Sequence, residues 1–298
     1  VEPLFWWAGM RNPELQLMVY GDHISEYHPV INEPGVYLKS CVTVDSPNYL
    51  ILYLDLSQAH SGTFDITFVN GEKKFVYAYE LKERKESTDD IQGYDSSDVL
   101  YLIMPDRFAN GDQSNDQISM STEYVMDRSK PGARHGGDLK GIEDHLDYFV
   151  DLGVTAIWLN PVLENDGKGG SYHGYFSTDM FHVDRRLGSN EDYLRLINKA
   201  HQKGLRVVMD MIFNHIGANH PWVLDVPSKD WFNVSPSKRG NHAKAIFYDN
   251  YASTYDSEVM KYAGFGIDLN QANPHVGTYL IQNSIWWIEY ARIDAIRQ

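Results

Sequence analysis

The segment LRVVM-DMIFNH, residues 205–215, decides the fold of this chain. Its first five residues are mostly apolar or β-branched, which is typical of a strand that is covered on both faces in a parallel sheet. Asp210, Asn214 and His215 follow where this strand would end. In parallel sheets that alternate with helices, ligands are bound by side chains at this end of the strands. The three residues are therefore candidate functional residues, although each alone fits a capped turn before a helix equally well.

From Asp98 onward, apolar strand-like segments alternate with segments whose apolar residues recur at helical spacing. The predicted strands are 99–104, 154–159, 205–209 and a last segment that closes on Arg297. The predicted helices are 139–152, 191–203 with Asn190 as the cap, and 274–291 with Pro274 in the first turn. Alternation of this kind indicates a parallel sheet covered by helices, the α/β class of fold.

The first 92 residues have a different pattern. Short apolar or alternating segments lie at residues 17–20, 36–42, 49–54, 63–68 and 74–79 and are separated by turn residues such as Asn70-Gly71. Regular short strands with turns between them predict a small β-sandwich. Residues 82–90 are charged and lack apolar periodicity. We therefore expect a linker there, with one domain at 1–92 and a second at 93–298.

Composition excludes some classes of partner. The formal net charge of −15 argues against binding to nucleic acid or anionic membranes through charge. No run of 18 apolar residues occurs in the sequence, so membrane insertion is not expected. The only cysteine, Cys41, lies in an apolar segment and is expected to be a core residue. The chain begins at Val1 rather than Met, and we expect a periplasmic or secreted protein, with the cytoplasm as the alternative.

Four motifs occur along the chain in a fixed order: Asn160-Pro161, His173-Gly174-Tyr175, the segment 210–215 and the final segment that closes on Arg297. In order and spacing they resemble the motif series of the α-amylase superfamily, glycoside hydrolase family 13. Residues 2–20 also resemble the start of the β-sandwich that precedes the barrel in bacterial cyclomaltodextrinases and neopullulanases. The resemblance covers essentially the whole chain and points to this subgroup.

The resemblance implies an N-terminal β-sandwich followed by a (β/α)8 TIM barrel, of which about the first four β/α units are present. The irregular stretch at about 216–273 resembles the subdomain that the superfamily inserts after the third barrel strand. Near its end, residues 266–270 resemble a short family signature, although three matching residues also fit a solvated loop.

The implied activity is hydrolysis of α-1,4-glucosidic bonds in cyclodextrins, maltodextrins or pullulan with retention of anomeric configuration. Retaining glycosidases use one carboxylate as the nucleophile and a second carboxyl group as the general acid. Residues 295–298 match the family's nucleophile motif, G-x-R-x-D, except that Ala295 replaces Gly and the Asp would follow Gln298. The resemblance therefore implies that both carboxyl groups lie beyond residue 298 and that this chain alone is inactive.

The motif residues would take supporting roles, as their family counterparts do. Arg297 would lie beside the nucleophile and keep it ionised, and Asp210 would orient Arg297. His173 and His215 would donate hydrogen bonds to hydroxyl groups of the sugar in the cleavage subsite. Tyr175 would stack on the face of that sugar. These five residues are the candidate active-site residues of the chain.

The loop at 110–116 concentrates carboxylate and amide oxygens, the ligands that Ca²⁺ prefers. The residues alone fit an Asx-rich turn without a metal somewhat better. The resemblance favours Ca²⁺ as a cofactor, since cyclomaltodextrinase-like and glucanotransferase relatives hold the ion in such a loop. The implied ligands are the side chains of Asn110, Asp112, Asn115, Asp116 and Asp138 and the backbone carbonyl of Gly136. Asp106 is expected to order the loop instead of binding the ion.

Two other functions remain open on the sequence. A glucan transglycosylase would use the same covalent intermediate and would differ in the acceptor, a sugar hydroxyl instead of water. A noncatalytic starch-binding protein on the same scaffold would have no need of Arg297, His215 and His173 together. The expected partner is an α-glucan oligosaccharide or a cyclodextrin, and a homodimer through the N-terminal domain is also consistent with the resemblance.

Overall fold

The computed structural model describes residues 1–84, 91, 93–118, 126–167, 170–233 and 266–298. The chain divides into two compact units. The first comprises Val1–Ser87, Leu224–Trp231 and Asn270–Trp286, and the second comprises Thr88–Val223, Phe232–Leu269 and Trp287–Gln298. Most of the expected linker, 85–90, and the middle of the expected inserted subdomain, 234–265, lie outside the described residues. The domain boundary between residues 92 and 93 stays a prediction.

The described part of the first unit forms two sheets. Its strands are β1 (Trp6–Trp7), β2 (Glu14–Tyr20), β3 (His28–Ile31), β4 (Tyr37–Thr43), β5 (Tyr49–Asp55), β6 (Gly62–Asn70) and β7 (Lys73–Lys82). One sheet has the order β1-β7-β6-β3 and the other β2-β5-β4, and all pairs except β1 with β7 are antiparallel. Alternate residues of β6, namely Phe64, Ile66 and Phe68, are buried. Two sheets with buried apolar side chains are the β-sandwich that the sequence predicts.

The expectation that Cys41 is a core residue is wrong, because its thiol-bearing side chain is exposed. Cys41 lies in β4, which is an edge strand of its sheet. Most residues of β4 are exposed, whichever face they occupy. The apolar composition of this segment therefore overestimated its burial, since no described strand pairs with the outer edge of β4.

In the second unit, four parallel strands form one sheet. They are β8 (Leu100–Ile103), β9 (Ala156–Leu159), β10 (Arg206–Asp210) and β13 (Ala295–Arg297), in the order β13-β10-β9-β8. Their pairing confirms the prediction of neighbouring parallel strands. Beyond the end of β10, the short strands β11 (His215–Ile216) and β12 (Ile267–Asp268) pair in antiparallel fashion. The arrangement is that of a partial α/β barrel with its first strands in sequence order.

The described α-helices are α1 (Pro105–Phe108), α2 (Leu139–Glu143), α3 (Leu146–Asp151), α4 (Asn190–Gln202), α5 (Pro221–Leu224) and α6 (Pro274–Ala291). The bounds of α6 confirm its prediction. The predicted helix at 139–152 is two helices instead. The imidazole Nδ1 of His145 lies 2.7 Å from the carbonyl oxygen of Gly141, the acceptor that a continuous helix would use there. No helix among the described residues has the length and apolar character to cross a membrane.

Ser189, and not the predicted Asn190, caps α4. The Ser189 hydroxyl accepts from the backbone N–H of Asp192 at 3.1 Å, and the Asp192 carboxylate accepts from the backbone N–H of Ser189 at 2.9 Å. This reciprocal pair is a capping box. Asn190 accepts from the N–H of Val183 and donates to the carbonyl of Phe181, so its side chain holds the loop that leads into the helix.

The free edge of β2 is covered within the first unit. The Gln282 side chain, in α6, accepts a hydrogen bond from the backbone N–H of Gln16 and donates one to the Gln16 carbonyl, both at 2.7 Å. Further along the same edge, Met18 exchanges two backbone hydrogen bonds with Glu2. The backbone groups of Gln16 and Met18 that point away from β5 are therefore paired.

Candidate active site

Three neighbouring strands bring Trp158, Asp210 and Arg297 to one face of the sheet. Asp210 is opposite Arg297 in the pairing of β10 with β13, and Trp158 is opposite Val208 in the pairing of β9 with β10. Side chains alternate between the two faces of a strand, so these four residues share a face. Asp210 and Arg297 are the last residues of their strands, at the end where α/β barrels bind ligands.

Asp210 is the centre of a hydrogen-bond cluster. The residue is 1% exposed, and its carboxylate accepts from the indole N–H of Trp158 at 3.0 Å and from the hydroxyl of Tyr175 at 2.9 Å. A guanidinium nitrogen of Arg297 lies 3.1 and 3.3 Å from the two carboxylate oxygens. The guanidinium carbon lies 5.2 Å from the ring centre of Trp158. The buried carboxylate of Asp210 therefore holds the guanidinium of Arg297 in place, and the role of Arg297 beside a nucleophile stays a prediction.

Tyr175 contacts Asp210 through its hydroxyl group. Burial, followed by the negative charge of Asp210, raises the pKa of the Tyr175 hydroxyl to about 12. The hydroxyl therefore stays protonated at neutral pH and acts as a donor. This bond was not expected from the sequence, and the predicted stacking of Tyr175 on a sugar stays a prediction.

A backbone hydrogen bond fixes the orientation and the tautomer of the His173 ring. Its Nδ1 accepts from the N–H of Tyr175 at 3.0 Å, so a neutral ring carries its proton on Nε2. Gly174, between them, has a φ of +85°, and a Cβ there would lie 2.2 Å from the carbonyl oxygen of Pro161. Only glycine fits this turn. The resulting tautomer of His173 is the one that can donate from Nε2, as its expected role requires.

His215 is 2% exposed, although the sequence suggests a contact with the sugar. Its Nε2 lies 2.9 Å from the carbonyl oxygen of Tyr175, and its Nδ1 lies 3.2 Å from the amide nitrogen of Asn214. Burial lowers the pKa of His215, so the ring is neutral at neutral pH. In this geometry the ring supports the backbone of Tyr175, and a bond to a sugar hydroxyl stays a prediction.

The structure links all five candidate active-site residues, which are Arg297, Asp210, His215, His173 and Tyr175, through direct contacts. Trp158, which donates to Asp210, was not predicted from the sequence. The sequence does place Trp158 in a predicted strand that precedes the one ending at Asp210, which is a hint that the two side chains are close. Using that hint requires the register between the strands, which the sequence does not provide.

The candidate metal loop gathers polar atoms. The side-chain oxygens of Asn110 and Asn115 are buried and have no hydrogen-bond partner among the described residues. The amide nitrogen of Asn110 donates to the Asp116 carboxylate at 2.6 Å. Gly136 lies against both residues, because a Cβ at this position would be 2.7 Å from the Asp116 carboxylate and 3.0 Å from the Asn110 amide nitrogen. Buried oxygens without a donor are costly, and a hard cation would satisfy them.

Two other candidate ligands, Asp112 and Asp138, accept hydrogen bonds from the protein. Asp138 is fully buried and accepts from the N–H groups of Gly111, Asp112 and Gly141 at 2.6 to 3.2 Å. Asp112 accepts from the backbone and hydroxyl of Ser114 at 2.9 and 2.6 Å. Within the described ranges, no three His, Cys, Asp or Glu side chains form a group that could hold a metal ion. Any cation here would therefore need amide and carbonyl oxygens as ligands in addition to carboxylates.

Asp106 is a buried carboxylate that accepts hydrogen bonds from the segment at residues 135–136. It is 1% exposed and accepts from the backbone N–H groups of His135 at 3.0 Å and Gly136 at 3.2 Å. The Nε of Arg107 donates to it at 2.9 Å, and a guanidinium nitrogen of Arg134, itself 3% exposed, lies 3.6 Å away. These contacts hold His135 and Gly136, of which Gly136 lies beside Asn110 and Asp116. That Asp106 orders the loop at 110–116 stays a prediction.

The family model described as "Alpha amylase, catalytic domain" matches residues 102–298, and the model described as "Cyclomaltodextrinase, N-terminal" matches residues 1–85. An intracellular maltogenic amylase of Bacillus subtilis is 35% identical over 211 residues, and a cyclomaltodextrinase of Geobacillus thermopakistaniensis is 35% identical over 208. Each match covers 67% of this chain and 32% of the relative, so the chain spans about a third of the length of these proteins.

A crystal structure of an Anoxybacillus α-amylase is also similar. It is 41% identical, with a TM-score of 0.56, over 67% of this chain and 40% of that one. The catalytic-domain model matches more than half of the chain, in the part that holds the parallel strands and the Asp210 cluster. The chain therefore belongs to the α-amylase family, glycoside hydrolase family 13, and carries the N-terminal domain of the cyclomaltodextrinases.

Proposed function

We propose that the full-length protein is a retaining α-glucan hydrolase that cleaves α-1,4-glucosidic bonds in cyclodextrins, maltodextrins or pullulan. The observation that carries the proposal is the buried Asp210, which holds the guanidinium of Arg297 at the end of β13. The family motif places the nucleophile two positions after Arg297, and an adjacent cation favours the ionised form of a carboxyl group. The relatives named maltogenic amylase and cyclomaltodextrinase support an α-glucan as the substrate.

In the proposed reaction, an ionised carboxylate attacks the anomeric carbon while a second carboxyl group protonates the leaving oxygen. The residues of this chain orient the groups that react. His173 donates from Nε2 to a sugar hydroxyl, and the ring of Tyr175 packs against the sugar. Such contacts accelerate the reaction only if they strengthen as the sugar approaches its oxocarbenium-like transition state. Arg297 supplies the positive charge beside the nucleophile.

Glucan transfer is the alternative activity. It shares the covalent intermediate with hydrolysis, and the two differ in whether water or a sugar hydroxyl accepts the glycosyl group. A noncatalytic starch-binding protein is disfavoured, because binding alone gives no reason to fix Arg297 on a buried carboxylate. The products therefore decide between hydrolysis and transfer.

We also infer that the sheet of the second unit continues into a complete (β/α)8 barrel, with a subdomain inserted at about 216–273. Leu100 and Leu102 of the edge strand β8 are 40% and 53% exposed and share the face of Trp158, which a closed barrel would enclose. The relative named an intracellular enzyme supports a cytoplasmic location over the periplasmic or secreted one. A homodimer through the N-terminal domain stays a prediction.

The full-length protein should convert maltoheptaose and β-cyclodextrin to shorter α-glucans whose new reducing ends are initially α-anomers. Two successive displacements at the anomeric carbon restore its configuration. Proton NMR in the first minutes, before mutarotation, measures the anomers. Residues 1–298 alone are the control and should be inactive. Initial release of β-anomers contradicts retention, and products longer than the substrate at low conversion favour transfer.

We propose that Ca²⁺ binds at the loop of residues 110–116 and connects it to residues 136–138. The supporting observations are the buried oxygens of Asn110 and Asn115, which have no partner in the part of the chain that the structure describes, and the approach of Gly136 to Asp116. Asp112 and Asp138, the other expected ligands, would share their carboxylates between the ion and the protein donors they already accept from. The ion would stabilise the loop and would take no part in bond cleavage.

Removing Ca²⁺ with a chelator should lower the Tm of the full-length protein. An ion that binds only the folded state adds about 2.7 kcal/mol when its concentration is 100 times its Kd. The double variant Asp112→Ala/Asp116→Ala should have the lower Tm in calcium already and change little with chelator. Calorimetry measures both, and Asp22→Ala, whose side chain is 95% exposed, is the control. A parent protein whose Tm is the same with and without calcium contradicts the site.

A further inference from the structure

One buried side chain holds both ends of the turn at residues 171–176, called here the active-site turn. Asn165 is 1% exposed and lies in the loop between β9 and α4. Its amide nitrogen donates to the carbonyl oxygen of Ser171, and its amide oxygen accepts from the backbone N–H of Phe176 at 2.6 Å. A single planar amide therefore fixes the distance between the first and last residues of the turn.

Asn165 is itself anchored. Its backbone carbonyl accepts from the guanidinium of Arg186, which is 3% exposed. The carboxylate of Asp184, 2% exposed, accepts from two nitrogens of this guanidinium at 2.9 and 2.7 Å. The backbone of Asn165 also forms an antiparallel bridge with Ser177. A buried and doubly hydrogen-bonded ion pair is a rigid support, so the amide of Asn165 has a fixed position.

The active-site turn carries His173 and Tyr175, and its backbone sets both side chains. The Tyr175 N–H holds the Nδ1 of His173, so a shift of the turn changes the direction in which Nε2 points. The His173 ring also lies 4.9 Å from the ring of Phe176, the residue whose N–H Asn165 holds. Phe176 therefore contacts both Asn165 and His173, and a shift of Phe176 would move the His173 ring.

We propose that Asn165 is a positioning residue, which sets the placement of His173 and Tyr175 for the sugar in the cleavage subsite. This proposal rests on the proposed function. An asparagine amide offers a donor and an acceptor on one planar group, and both are used here. An aspartate has nearly the same shape but offers only acceptors when ionised, so its carboxylate would face the Ser171 carbonyl without a proton between them.

In the full-length protein, Asn165→Asp should lower kcat/KM for maltoheptaose about 10- to 100-fold, the loss expected when contact groups are misplaced by about 1 Å. Thr178→Val is the matched control. Its hydroxyl donates to the Glu164 carbonyl at 3.3 Å in the same loop but touches neither end of the active-site turn. This variant should change kcat/KM less than about twofold. Thermal unfolding confirms that each variant is folded at the assay temperature.

A double-mutant cycle with His173→Ala separates positioning from general destabilisation. If Asn165 places His173 as well as Tyr175, Asn165→Asp should lower kcat/KM by a clearly smaller factor once the His173 ring is absent, because the part of its effect that acts through His173 is then lost and only the part through Tyr175 remains. An equal fold-change in both backgrounds would show that Asn165 does not place His173. That result would overturn the proposal.

A second variant keeps the proposal testable if Asn165→Asp does not fold. Arg186→Lys retains the charge beside Asp184 but lacks the planar fork that also reaches the Asn165 carbonyl. It should lower kcat/KM in the same direction, and an unchanged kcat/KM in folded Arg186→Lys would overturn the proposal. If the parent neither cleaves maltoheptaose nor binds it in calorimetry, the proposed function fails as well. An active parent with an equally active Asn165→Asp refutes only the positioning role.

Discussion

Replacing Arg297 with alanine should lower kcat/KM for maltoheptaose in the full-length protein by about 10²- to 10³-fold, the loss that follows removal of one charge-stabilising group from an active site. Two effects add up. The nucleophile loses the adjacent positive charge that favours its ionised form. Asp210, 1% exposed, keeps its donors Trp158 and Tyr175 but loses its cation. Initial rates at substrate concentrations well below KM measure the loss directly.

Two further variants show whether the loss at Arg297 is specific. Arg297→Lys keeps the charge but replaces the planar fork with a single ammonium group, and we expect an intermediate rate. Arg11→Ala changes an exposed arginine outside the active-site cluster and should leave the rate unaltered. A folded Arg297→Ala protein with the parent's kcat/KM would exclude Arg297 from the reaction.

The largest expected effect on stability is that of Asp106→Asn, which should lower the free energy of unfolding by about 3 to 5 kcal/mol, the usual result of breaking a buried charge pair. Asp106 is 1% exposed and lies beside Arg107 and Arg134. The amide keeps the shape of the carboxylate but leaves these cations without a counter-charge. The NH2 group of the new amide is also a donor, and it would face Arg107 and the backbone N–H groups of His135 and Gly136, which donate as well.

Chemical denaturation of the full-length protein tests this expectation. Asp147→Asn is the matched control, because Asp147 also pairs with a cation, Lys203, but its side chain is 80% exposed. Exposed pairs contribute little to stability, so the control should unfold close to the parent's midpoint. Equal denaturation midpoints for the variants at Asp106 and Asp147 would show that the contacts of Asp106 with its two arginines do not stabilise the protein.

The sequence predicted the parallel sheet well because its strands are runs of apolar residues, and such runs have few alternatives to burial. Prediction failed where burial depends on position in the sheet. Cys41 has apolar neighbours in the chain, but β4 lies at an edge. The strands β1 and β3 were missed since they have two and four residues, too few for a periodic pattern, and β3 contains Pro29.

In the candidate site, too, some residues could be predicted from the local sequence and others could not. Asp210 and Arg297 were predictable because each ends a strand-like segment, and strand ends at one edge of a parallel sheet converge. Trp158 and Asn165 were not predictable from local pattern. The contact of Trp158 with Asp210 depends on strand register, and an Asn in a loop is ordinary until its two hydrogen bonds are seen.

The side chain of Gln282 imitates a peptide group. Its amide offers Gln16 the same donor and acceptor that one residue of a neighbouring strand would offer, although it comes from a helix far along the chain. An unpaired strand edge is a template for joining other molecules. A gene cut after residue 92 would encode every described strand of the two sheets in the first unit, but it would not encode Gln282. The backbone N–H and carbonyl of Gln16 would then be open to pairing with another molecule.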